Sequence, residues 1–183
     1  MKPANTSGIA EELTLMKEKT INTIYIIFGI LAIPLAGASL TRATMTGWKW
    51  LYLYHILIAI TPLTVLIFLQ RIPYKIKVYL ALLILVTDVI MGLLSFGILD
   101  NAKVFIILIV VLAGLLLGKR QGYYALIFST LVLIVFISLY RGQVLQYNFN
   151  VEQYVVERSI WISMSLFIIG LSLGLLEITT RLF

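Results

Sequence analysis

The sequence predicts an all-α polytopic membrane protein: a bundle of six transmembrane helices with both termini in the cytoplasm. Three observations predict it. Of the 183 residues, 61% are apolar and only 12% charged, with a mean hydropathy of +1.05, far outside the range of soluble domains. The apolar residues fall into six runs divided by short polar or basic corners. The fourteen lysines and arginines also distribute unevenly between alternate corners. With the N-terminus inside, nine of them are cytoplasmic (Lys2, Lys17, Lys19, Arg71, Lys75, Lys77, Lys119, Arg120 and Arg181). Five lie outside (Arg42, Lys49, Lys103, Arg141 and Arg158), and the positive-inside rule selects this orientation.

Residues 1–20 are too acidic for a cleaved leader, because Glu11, Glu12 and Glu18 stand where a basic and then an apolar region would be needed. Ser7 suits a helix N-cap, and Ile9, Leu13 and Met16 share a helical face, so a short surface helix is expected to run into the first span. The remainder, 21–183, forms one transmembrane domain. Its first span, 21–40, contains Pro34, which removes a backbone hydrogen bond and favours a kink. A belt of Trp48, Trp50, Tyr52 and Tyr54 opens the second span, 50–70, which carries His55 near its start and Thr61-Pro62 near its middle.

Pro73 to Gly122 reads as a helical hairpin with basic ends and a polar tip at Asp100, Asn101 and Ala102. Its first arm, 78–99, covers roughly 33 Å, enough for a hydrocarbon core of about 30 Å. The second, 104–118, covers only about 22 Å and relies on Lys103, Lys119 and Arg120 reaching the headgroups, or on a thinner bilayer. A fifth span, 123–140, has Ser129 and Thr130 midway. The connection 141–158 includes VEQYVVER, suited to a turn or two of surface helix, and the sixth span runs over 159–176.

Asp88 is the most informative single residue. A carboxylate near mid-membrane costs at least about 2.5–3.5 kcal/mol unless it is protonated, paired or hydrated. Counted from the outer ends of their spans, Asp88, Thr61 and Ser129 all lie about eleven residues deep, so they could share a polar layer, with Gly29 leaving space in the first span. The acid is then either a neutral hydrogen-bonding tie between helices or a sensing, ligand-binding or proton-coupled group. His55 lies about 9 Å shallower by the same count, which argues against direct pairing with Asp88. It reads as an anchored interfacial side chain, with a pH-responsive or ligand-contacting role as the alternative.

Gly170 and Gly174 form a GxxxG face in the last span, for packing within the bundle or for a dimer seam. Gly92 and Gly97 read as close-packing positions near the outer leaflet, or as room for a pocket. Glu177 and Arg181 suit a helical ion pair. The absence of cysteine excludes disulfides and thiolate metal sites. No metal-ligand spacing, phosphate loop or nucleophile motif occurs, and no lysine falls within an expected span. No cofactor or metal and no catalytic residue is therefore expected, and the chain is expected not to be an enzyme by itself. Its net charge of +6 sits at membrane ends and points to lipid headgroups rather than nucleic acid as its partner.

The PYKIKV segment at 73–78, GLLSFG at 92–97 and LLLGKRQG at 115–122 resemble the multi-helix N-terminal membrane sensor region of bacterial sensor histidine kinases, hybrid kinases included. The resemblance covers about fifty residues and transfers no ligand-binding residue. It implies a sensor domain in the bacterial cytoplasmic membrane that works as a homodimer, takes a small-molecule or lipid signal and feeds a cytoplasmic kinase or other output domain absent from these residues. His55 could not be the phospho-acceptor of such a kinase, because it faces the outer leaflet, away from cytoplasmic ATP. Six spans in fewer than 200 residues also suit a vitamin-type substrate-binding subunit or small transporter, or a ligand-free scaffold.

Overall fold

The apolar runs become helices wherever the structure, a computed structural model, describes them: residues 6–100, 102–146, 150–152, 158, 160–162, 164–166 and 168–169. No strand occurs among the described residues. The first helix, α1 (Thr6–Thr41), joins the acidic lead-in and the first span without a break. It takes in Ser7, the expected cap, and has Pro34 inside. At about 1.5 Å per residue its 36 residues reach some 54 Å, so part of the lead-in must project beyond the hydrocarbon.

A single turn, α2 (Ala43–Thr46), and Gly47 at φ 71° lead into α3 (Trp50–Ile67). Next comes α4 (Tyr74–Phe96), closed by Gly97 at φ 56° and a 3₁₀ turn, Gly97–Leu99. Helix α5 (Ala102–Leu112) widens into a π turn, Ala113–Leu117, and α6 (Lys119–Arg141) follows Gly118 at φ 111°. Four of these helices are long and apolar enough to cross a membrane: Glu11–Thr41 within α1, together with α3, α4 and α6. Ala102–Leu117 is shorter. The expected sixth span falls largely outside the described residues, as do Gly170, Gly174, Glu177 and Arg181.

The short helix lies in the centre. Ile106, Leu108, Ile109 and Leu112 of α5, with Leu116 of the π turn, pack into one core with Ile21, Ile24 and Tyr25 of α1, Val65 of α3, and Val78, Ala81, Leu85, Val89 and Leu93 of α4. A helix enclosed by neighbours meets little lipid, so its shortfall in length need not distort the bilayer. On α6, by contrast, Leu126, Ile127, Leu131, Ile134, Val135 and Ile137 face outward, the pattern of a lipid-covered surface. Aromatic rings mark both ends: Trp48, Trp50 and Trp161 at one, Tyr123 and Tyr124 at the other, the latter two under Lys119 and Arg120.

One basic residue corrects the expectation. Lys77 belongs to the first turn of α4 and not to a solvated corner, and its side chain is completely buried. The ammonium donates to Asn22 Oδ1 at 2.8 Å, Glu18 Oε1 at 3.1 Å and the Leu69 carbonyl at 3.3 Å. The Tyr25 hydroxyl donates to the Lys77 carbonyl at 2.9 Å, so α1 grips the start of α4 through side chain and backbone together. A buried ammonium is tolerable only with such partners.

Candidate functional site

At the opposite end from Lys77, five segments converge: the end of α1, the start of α3, the end of α4, the start of α5 and the end of α6. Ser39 is buried on the last turns of α1, and its Oγ lies 2.5 Å from His55 Nδ1. The other imidazole nitrogen, Nε2, is 3.3 Å from Asp88 Oδ1. A neutral ring with its proton on Nε2 satisfies both neighbours, donating toward the carboxylate while the Ser39 hydroxyl donates to Nδ1.

His55 and Asp88 therefore do pair, contrary to the depth count. That count took the third span to Leu99, but Gly97 stops α4 at Phe96. Asp88 then lies eight residues from its helix end and His55 five from Trp50, leaving an offset of about 4.5 Å that two side chains bridge. The adjacent pair reinforces the link: the Tyr54 hydroxyl lies 2.5 Å from Thr87 Oγ1 and 3.3 Å from the Ile84 carbonyl.

The other expected polar residues do not join this site. Thr61 and Thr130 donate to carbonyls four residues back in their own helices, Leu57 and Leu126. Ser129 is buried beside a small apolar cavity near Val89, Ile109 and Val132. The space at Gly29 is taken by Leu66, since a Cβ there would collide with the leucine Cδ1.

Gly92 has a use not foreseen. An ideal Cβ on it would collide with Oδ1 of Asp100, so the missing side chain makes room for a carboxyl group and not for another helix. Gly92 follows Asp88 by four residues, placing both on one face of α4. Asp100 Oδ1 also accepts the Ala102 N–H at 2.9 Å, an Asx-type turn that leads into α5. Burial foremost, and then the negative charge of Asp88, push the Asp100 carboxyl up to about 7, while Arg42, His55 and the Ala102 N–H pull it the other way. Arg42, just past α1, is itself buried.

Lys49 caps the end of α4, with its ammonium 3.3 Å from the Ser95 carbonyl and 4.7 Å from the centre of the Phe96 ring. Burial lowers its pKa. Above these groups Leu51, Tyr52 and Phe96 form a small second core, flanked by Leu40, Tyr54, Met91, Leu99 and Ile160. Tyr52 hydrogen-bonds Thr46, and the Tyr140 hydroxyl of α6 reaches the Leu93 carbonyl at 3.0 Å. Among the described residues, no three histidine or acidic side chains come together as metal ligands. The arrangement can bind and pass protons and can change its charge.

Ser39, Arg42 and Asp100 carry no motif that singles them out in the sequence. The one local signal was Gly92, a small residue one turn beyond a membrane acid. A family model for MASE11, a family of membrane-associated sensor domains, matches residues 15–178. The chain belongs to the MASE11 family. No curated protein and no solved structure matches it. The match takes in Ser39, Arg42, His55, Asp88 and Asp100, so the polar end is part of the MASE11 domain itself.

Proposed function

We propose that this MASE11 domain is the membrane input module of a bacterial signalling receptor of the histidine-kinase type, in the cytoplasmic membrane, with its polar end outward. The domain transmits and does not catalyse. Occupancy or charge at the Ser39–His55–Asp88–Asp100 end shifts or rotates the last helix, which passes the change to a cytoplasmic output domain. The observation that carries this reading is the position of Ile160. It lies at the start of the expected last span, 159–176, and packs against the Leu51, Tyr52 and Phe96 core that roofs the polar groups. Rearrangement of the α4–α5 corner is thereby felt by the helix nearest the output. The GxxxG face at Gly170 and Gly174 supplies a seam for the dimer in which such receptors act.

Disulfide cross-linking along residues 159–176 of the intact receptor, in its two signalling states, tests the mechanism. Different cross-linking patterns are expected; identical patterns in both states would overturn it.

A further inference from the structure

The Asp100 carboxyl lies within electrostatic reach of a second carboxylate, Asp88, one guanidinium, that of Arg42, and one imidazole, His55, and His55 in turn contacts Asp88. We propose that Asp100, Asp88 and His55 form a single proton-binding site, so that the ligand this end of the domain takes is the hydrogen ion. The proposal rests on the reading of the chain as an input module.

Local electrostatics support it. At Asp100 the repulsion from Asp88 is opposed by Arg42, and a proton taken up on Asp100 or on the neighbouring His55 relieves that repulsion in surroundings of low dielectric. That proton has two homes. On His55 it turns the 3.3 Å contact with Asp88 into a charge pair, and Ser39 reverses to accept from Nδ1–H. On Asp100 it removes the repulsion from Asp88, with the carboxyl still seated on Gly92 and Oδ1 still accepting from Ala102. The side chains of His55 and Asp88 are 19% and 17% exposed, enough for exchange with water.

Around these three stand Ser39 and Arg42 from α1 and its end, Lys49 ahead of α3, Tyr52 and Tyr54 on α3, Thr87 on α4, and the Ala102 N–H of α5. Two carboxylates disfavour an anion here, and too few ligands gather for a metal among the described residues. The raised Asp100 carboxyl, at about 7, agrees with proton uptake near neutrality. Asp100 also holds the corner between Phe96 and α5, with Leu99 beside it in the core that meets Ile160, so its charge acts where the last helix makes contact.

The test is carbon-13 NMR of the aspartate carboxyls and the His55 ring, using the full chain in phosphatidylcholine–phosphatidylglycerol nanodiscs titrated from about pH 5 to pH 9. Asp100 is expected to titrate at least about two pH units above an ordinary carboxylate. Asp88→Asn should lower its midpoint by about one unit and His55→Gln should raise it. Gly92→Ala, whose methyl evicts the carboxyl, should return it toward the ordinary range. An Asp100 midpoint in the ordinary range, or one unmoved by both Asp88→Asn and His55→Gln, overturns the proposal, and these two variants decide it should Gly92→Ala fail to fold. Cross-links along 159–176 of the intact receptor at about pH 6 and pH 8 separate the two readings. Coupled titration with unchanged cross-links would sink the input-module reading and leave the proton site standing. Uncoupled titration with cross-links that respond to another stimulus would sink the proton site alone.

Discussion

Asp100 ties the stability of the protein to pH, and the sign follows from its environment. Its carboxyl is raised from an ordinary 3.8 to about 7, so the folded form holds the proton more tightly than the unfolded chain does. The stabilising contribution is therefore complete below about pH 4, fades as pH rises, and is lost above about pH 7. Asp100→Asn keeps an oxygen for the Ala102 N–H and cannot ionise. Its melting temperature in detergent should vary less between pH 4 and pH 7 than that of the parent chain; parallel curves would contradict the assignment. Lys77 makes the converse case, a buried charge that needs its partners. Asn22→Ala removes the shortest of its three hydrogen bonds and should destabilise by about 1–3 kcal/mol. Lys77→Met, which takes the donor from Asn22, Glu18 and the Leu69 carbonyl together, should destabilise at least as much in the same melts. Neither residue's role was legible in the sequence. A lysine beside a proline turn reads as a solvated marker, and the two side chains that accept from Lys77, Glu18 and Asn22, lie more than fifty positions earlier in the chain.

At the scale of helices far more was legible, because hydropathy and length are local properties. Spans expected at 50–70, 78–99 and 123–140 appear as α3, α4 and α6 with ends displaced by a few residues. Backbone conformation displaced one of them: Gly97 at φ 56° stops α4 at Phe96, short of the expected Leu99, while Gly118 at φ 111° falls where the fourth apolar run was expected to end. The π turn ahead of Gly118 was equally invisible, and it sets a close crossing. A Cβ on Gly122 of α6 would stand 2.9 Å from the Gly114 Cα, whereas a Cβ on Gly114 would meet Gly122 at an ordinary 3.9 Å. Gly122→Ala should therefore cost about 1–3 kcal/mol by overpacking, and Gly114→Ala should be tolerated. Thermal unfolding of the two variants checks the asymmetry, and equal losses would show that the crossing is not set by backbone contact.

For the whole molecule the question is which end faces outward, since an external proton can reach the Ser39–His55–Asp88–Asp100 end only if that end is outside. The alternation of helix directions puts Arg42, Lys49, Lys103 and Arg141 at that end, and Lys17, Lys19, Arg71, Lys75, Lys77, Lys119 and Arg120 at the other. Lys77 and Arg42 must be discounted because both are buried, yet six exposed or partly exposed cations against three still favour the polar end outside. The depth count that separated His55 from Asp88 treated each span as an upright rod measured from its own end; only the packed helices show that α4 stops early enough for the pair to meet. Orientation is open to a direct check because the chain has no cysteine. With single substitutions in intact cells, Thr44→Cys and Arg141→Cys should react with a membrane-impermeant maleimide. Lys75→Cys and Lys119→Cys should react only after permeabilisation; the reverse pattern would place the titrating cluster inside and make it a reporter of cytoplasmic pH.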